Sequence, residues 1–169
     1  MLKKILLLFI IILLILFTES LIKIDNKKVS INKKLLINTY KEKPIGNLTI
    51  NKINLNQDIY SINSKENTIE KNIELLKESE GLIVIAAHSG SGKIAYFNDL
   101  NKLNINDEIL LKLNKNTYTY IVKEYWEQKK NGYINISKEE QDQLILTTCS
   151  PNHDGYQLIV NCIKKKESN

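Results

Sequence analysis

The sequence predicts a mainly β domain, a closed or nearly closed barrel of short strands, behind an N-terminal membrane anchor. Three observations lead there. Past residue 44, apolar residues alternate with polar ones in short runs bounded by Asn, Gly, Ser and Pro. Only two brief stretches show helical spacing, and many short strands with few helices suit a barrel. Thirteen apolar residues follow one another without interruption from 5 to 17. At 169 residues the chain suits one domain plus an appendage, and its net charge is +5.

Lys3 and Lys4 precede the apolar run, and Thr18, Glu19 and Ser20 come after it. No small-x-small cleavage site comes next, which favours an uncleaved signal anchor over residues 1–22 rather than a removed signal peptide. The lysines orient the short N-terminus toward the cytoplasm and the rest outside, as a single-pass protein of the cell membrane. Residues 23–43, rich in Lys and Asn, read as a stalk. Nucleic acid is excluded as a partner, since no basic run carries arginine or interleaved aromatics.

The domain occupies 44–169. Leu48, Ile50, Ile53, Leu55 and Ile59 alternate with polar residues as half-buried strands. Residues 67–77 have apolar spacing of three to four with Asn67 or Thr68 as N-cap, which predicts a short amphipathic helix. An apolar run then covers 82–87 and ends at His88 in a glycine-rich loop, Ser89-Gly90-Ser91-Gly92-Lys93. That loop lacks the first glycine and the final Ser or Thr of a phosphate loop, with Ala87 and Ile94 in those places. Runs over 109–113 and 118–122 flank Asn114-Lys115-Asn116 as a hairpin. Trp126 and the Asn131-Gly132 turn predict a further strand pair ending in Tyr133-Ile134-Asn135-Ile136. Ser137 with Glu140 three residues on is a capping box, which predicts a short helix before the next strand.

That next strand organises the domain. Leu144-Ile145-Leu146-Thr147-Thr148 ends at Cys149, a turn spans 150–155, and Gln157-Leu158-Ile159-Val160 begins a second apolar run. A symmetric antiparallel pairing sets Cys149 opposite Gln157 and Cys162 near Leu144. Five strand steps separate the two cysteines by about 16 Å, too far for a disulfide, which needs Cα atoms within about 7 Å. Cys149 is therefore a free thiol at a strand end, and Cys162 is a core residue. His88 stands at the end of its own strand, and a Cys and a His so placed supply a nucleophile and its base. His153 reads as a polar turn residue. Its spacing from Cys149, Asp154 and Cys162 does not match structural zinc, so no metal or other cofactor is expected.

These residues carry a resemblance. Leu146-Thr147-Thr148-Cys149 resembles the T-L-x-T-C signature of the sortases, with Ile145 in place of the first Thr. Ile85-Ala86-Ala87-His88, then Tyr96 to Leu103 and Asp107-Glu108-Ile109, resembles the family's histidine segment and the strands after it. Pro44 to Ile50 and the segment to Tyr60 resembles its first two strands, so the similarity runs in order to about Ile163. It implies a barrel of about eight strands with one or two short helices, from a family of membrane-anchored cysteine transpeptidases of Gram-positive bacteria. The implied reaction cleaves a C-terminal sorting signal of a secreted protein through a thioester on Cys149. His88 acts as acid and base, and the product is joined to an amine of the cell wall or of a pilin-like protein. Thr148 is a candidate for oxyanion stabilisation or substrate binding.

One departure stands out. Sortases carry an arginine on the strand after the cysteine, where this chain has Gln157, and its twenty-four basic residues are all lysines. Glutamine keeps two N–H donors without the charge. Gln157 fills the catalytic role in weakened form, a lysine such as Lys93 takes it, or it is lost. Three other readings stay open: an L,D-transpeptidase-type enzyme, a catalytically impaired sortase-like peptide-binding module, and a small anchored structural protein. The first expects a Ser-x-Gly-Cys context that Thr147-Thr148-Cys149-Ser150 does not supply.

Overall fold

The computed structural model describes residues 2–39, 42–137 and 141–166, in two compact units, Met1–Lys41 and Glu42–Asn169. The first unit is one helix, α1 (Leu2–Thr39). It passes through residues 22 and 23 without a break, so most of the expected stalk is helical. The reason is local: no Gly or Pro occurs before Pro44, and the residue preceding a proline is pushed away from helical geometry. Among the described residues no helix is long and apolar enough to cross a membrane.

The second unit holds eight strands: β1 (Gly46–Ile50), β2 (Leu55–Ile59), β3 (Glu74–Ser79), β4 (Leu82–Ala86), β5 (Glu108–Leu113), β6 (Asn116–Lys129), β7 (Gln143–Cys149) and β8 (Tyr156–Lys164). They form one sheet in the order β2-β1-β5-β6-β8-β7-β4-β3. Neighbours are antiparallel except β4 and β7, which run parallel with Ala86 beside Thr147. Leu55 and Ile59 from one edge strand and Leu75 from the other share a single buried cluster with the central strands. The sheet therefore curls round its core into a nearly closed barrel, as expected.

Alternation decides what each strand buries. Ile83 and Ile85, Leu144 and Leu146, Leu158 and Val160 fill the barrel interior. Val84, Ile145 and Ile159 face outward and make a second buried cluster with Trp126, Ile134 and Ile136. Strands β4, β7 and β8 are covered on both faces, which is why their sequences read as continuous apolar runs.

Pairing of β7 with β8 puts Cys149 opposite Gln157 and Leu144 opposite Cys162, the register expected from the loop between them. Both cysteines are free thiols. The β5–β6 hairpin closes through Asn114 and Lys115, both at positive φ (49° and 75°), the signature of a two-residue primed turn. Gly46 opens β1 because a Cβ there would meet the Lys112 carbonyl oxygen at 2.1 Å.

Two expectations fail for physical reasons. Residues 67–77 are not a helix. Turns lead to β3, where Ile73 and Leu75 are buried at period two and Leu76 is exposed. Asn67 does not cap a helix; its side chain accepts from the Leu75 N–H (2.7 Å) and donates to the Leu75 carbonyl (3.1 Å), imitating a strand partner. A bulge between Leu75 and Lys77 blurs the alternation that would have revealed the strand. Tyr133 to Ile136 is likewise not a strand. Ile134 and Ile136 lie over the outer cluster, and the Gln128 side chain holds the segment by donating to the Tyr133 carbonyl (2.6 Å) and accepting from the Asn135 N–H (3.1 Å). The predicted helix after Ser137 falls on residues 138–140, outside the described residues.

Leu146 is fully buried in the barrel interior. Leu146→Ala is expected to lower the unfolding free energy by about 2–5 kcal/mol, measured by urea denaturation. A loss below about 1 kcal/mol would contradict the packing described.

Candidate active site

Parallel pairing brings two strand ends to one rim. Beyond the last β4–β7 pair the Ala87 N–H donates to the Thr147 carbonyl (3.2 Å). His88, half-buried just past the end of β4, and Cys149, the last residue of β7, each lie two positions beyond the Ala86–Thr147 pair. Side-chain bonds tie the two ends together. The Thr148 hydroxyl donates to the Ala87 carbonyl (2.7 Å), and the Ser89 hydroxyl donates to the Cys149 carbonyl (2.9 Å). The His88 carbonyl accepts from the Phe97 N–H (2.9 Å), which folds the Ser-Gly loop back on itself.

Alternation also sets direction. Leu144, Leu146 and Leu158 point inward, so Thr147, Cys149 and Gln157 belong to the outer face. Cys149 is exposed there, at the wall of a cavity of about 270 Å³. Ala86, Thr147, Gln157 and Leu76 line it with Lys130 and Tyr133 from the β6–β7 connection. A second cavity, about 330 Å³, also reaches Cys149 and is lined by Ser89, Gly90, Asn98 and Pro151.

Each residue singled out in the sequence has a defined place. Gln157 lies opposite Cys149, and its amide donates to the Tyr133 carbonyl (3.1 Å) rather than toward the thiol. Thr148 is buried, and its single hydroxyl proton is committed to Ala87. Lys93 is exposed on the Ser-Gly loop and is absent from the lining of both cavities. Cys162 is sealed in the barrel, where burial pushes its thiol pKa up and keeps the sulfur protonated. Among the described residues no group of three or more His, Cys, Asp or Glu is arranged to hold a metal ion.

Sequence reading missed one contact. The Lys130 ammonium donates to the Cys149 sulfur at 2.9 Å. Nothing in Gln128-Lys129-Lys130-Asn131 distinguishes this lysine from the other twenty-three. Glu70 was also unforeseen. Its carboxyl is held below the ordinary range by the Thr68 hydroxyl, and the charge of His88 adds to that effect. A carboxylate thus sits within electrostatic reach of the imidazole.

The turn after Cys149 is clasped from β6. Glu127 accepts from the Ser150 hydroxyl (2.8 Å), the Asn152 amide (2.9 Å) and His153 Nδ1 (2.5 Å). His153 is therefore tied to Glu127, away from any metal-like grouping. These partners, His153 foremost, hold the Glu127 carboxyl below its usual range.

The comparisons with known proteins agree with this architecture. The family model for the Sortase domain matches residues 48–164. The chain belongs to the sortase family. Solved sortases share its fold. Sortase C1 of Streptococcus agalactiae aligns with a TM-score of 0.65 at 23% identity, over 76% of this chain and 70% of that one. Sortase C1 of Streptococcus suis gives 0.64 at 24% identity, over 83% and 81%. Sortase A of Corynebacterium diphtheriae gives 0.64 at 20% identity, over 76% and 63%. No curated protein matches the chain in sequence. Family membership sets aside the L,D-transpeptidase alternative.

Two outcomes are expected. Iodoacetamide should label the folded protein once, at Cys149, with Cys162 labelled only after denaturation; mass spectrometry of peptides reads the difference. The Glu127 clasp should hold above the ordinary carboxylate range and be lost as pH falls through the lowered value, because a depressed folded-state pKa favours the fold only while the group is ionised. Protection of the amides over 150–156, corrected for intrinsic exchange rates, should therefore fall as the pH drops below the ordinary glutamate range, and protection unchanged through that drop would contradict the clasp.

Proposed function

We propose that this sortase is an active cysteine transpeptidase. The observation that carries the reading is the exposed Cys149 sulfur at a cavity wall, at the end of β7, which runs parallel beside the strand that leads to His88. The Cys149 thiolate attacks a backbone carbonyl within a C-terminal sorting signal of a secreted protein. His88 protonates the departing amine, leaving an acyl-enzyme thioester. An incoming amine of a wall precursor or pilin-like protein gives its proton to His88 and takes the acyl group. Thr148 serves as a strut between the two catalytic strands. Gln157 positions the β6–β7 connection over the substrate.

Localisation is part of the proposal. Residues 1–22 anchor the chain once in the cell membrane, and the domain lies outside, where sorting signals arrive. The uninterrupted apolar run from 5 to 17 behind Lys3 and Lys4 supports this. A second reading, an impaired peptide-binding module, is favoured by the loss of the arginine at Gln157 alone.

The test is incubation of the full chain in detergent with a library of sorting-signal peptides and amines, then mass spectrometry. A thioester on Cys149 is expected, none in Cys149→Ala, and formation slower by roughly 10²–10⁴-fold in His88→Ala. Gln157→Ala is expected to slow acylation as well. Peptide binding without any adduct would replace the enzyme by the binding module.

A further inference from the structure

We propose that Lys130 is the catalytic cation of this site, standing in from the β6–β7 connection for the arginine absent from β8. The inference rests on the reading of Cys149 as the nucleophile. Three observations converge on it.

The first is contact: the Lys130 ammonium lies 2.9 Å from the Cys149 sulfur, well within hydrogen-bond reach. The second is placement. Sheet order is β6-β8-β7, so the lysine reaches across the start of β8 to the end of β7. Its base is fixed: Lys129 pairs with Tyr156, and the Lys130 N–H donates to the Gly155 carbonyl (2.8 Å). The third is the lack of charge at the β8 position. Gln157 brings none, and its amide is engaged with the Tyr133 carbonyl. Among the described residues no carboxylate pairs with Lys130, so its charge is not spent elsewhere.

The chemistry balances without change in Lys130. Its ammonium pairs with the thiolate before attack. Sulfur donates an electron pair to the substrate carbonyl carbon, and the C=O π pair moves to oxygen. The new oxyanion forms two bonds from the sulfur, on the carbon the sulfur has attacked, within reach of the same flexible ammonium, which donates an N–H to it. Collapse re-forms the carbonyl and breaks the C–N bond, and the amine leaves with a proton from His88. Lys130 ends as it began.

The experiment has a substrate-free arm and a peptide arm, both on the full chain, with folding checked by circular dichroism. Alkylation of Cys149 at pH 7 is expected to slow about tenfold in Lys130→Met. Acyl-enzyme formation should fall by roughly 10²-fold. Lys130→Arg should restore most of both rates, and so should the double variant Lys130→Met/Gln157→Arg, which returns a cation to β8. Alkylation of the parent should weaken with added salt, and that of Lys130→Met should not. Parental rates in Lys130→Met, or no recovery in either arginine variant, overturn the inference. A parent that forms no peptide adduct sinks the transpeptidase reading instead, and the alkylation arm then still judges the Lys130–Cys149 pair.

Discussion

The parallel seam between β4 and β7 is the constraint on which the site depends. Antiparallel neighbours send their C-terminal ends to opposite edges of a sheet, whereas a parallel pair sends both to one edge. Here Ala86 beside Thr147 fixes the register, and His88 and Cys149 each lie two residues beyond that pair. A slip of one residue would turn one of them into the barrel and lift Ile85 or Leu146 out of it. Packing of the interior therefore enforces the alignment of the site. The Thr148–Ala87 and Ser89–Cys149 hydrogen bonds add about 0.5–1.5 kcal/mol each, modest for stability but placed where fraying would separate the two residues.

Parallel strands need cover on both faces, and this barrel provides it economically. The inner faces meet in the main core, and the outer faces of β4, β7 and β8 are roofed by Trp126, Ile134 and Ile136. The roof and the cavity adjoin: Gly132, Tyr133 and Ile134 line the space beside Cys149, and Ile134 also packs on the buried cluster. The segment is held without a strand ladder: Gln128 and Gln157 both donate to the Tyr133 carbonyl. Side-chain amides are easier to release than a backbone ladder.

Much of this was readable in the residues. The β7–β8 register came from the symmetry of the turn at 150–155 and the lengths of the flanking apolar runs, because a strand period of two leaves few choices. The hairpin at Asn114-Lys115-Asn116 came from the apolar runs on either side, although the turn itself is Asn114-Lys115 and Asn116 already pairs with Leu113. What escaped was chemistry that imitates one element with another. Asn67 pairs with Leu75 as a strand would, and a bulge at Leu76 hides the alternation, so residues 67–77 carried helical spacing. Ile134 and Ile136 alternate like a strand because they face a sheet, without belonging to it. Lys130 escaped for a different reason. Its role comes from which carbonyl its backbone meets across β8, and lysines are too common in this chain for identity to mark one of them.

Moving the charge from β8 to a connection changes what the site asks of its neighbours. An arginine on a central strand is positioned by the sheet itself and brings a rigid fork of donors. A lysine is a point charge on a flexible stem, so its precision must come from where its backbone is held. In this chain that is the job of the contacts around it: Gly155 fixes the Lys130 N–H, and Gln128 and Gln157 fix Tyr133 three residues on. The glutamine at 157 is then the counterpart of the lysine at 130. With the cation arriving from the connection, the β8 position is free to carry an amide that anchors it. On the proposal for Lys130, loss of that amide weakens the site through the placement of the lysine, since the Gln157 amide donates to Tyr133 and not to the sulfur.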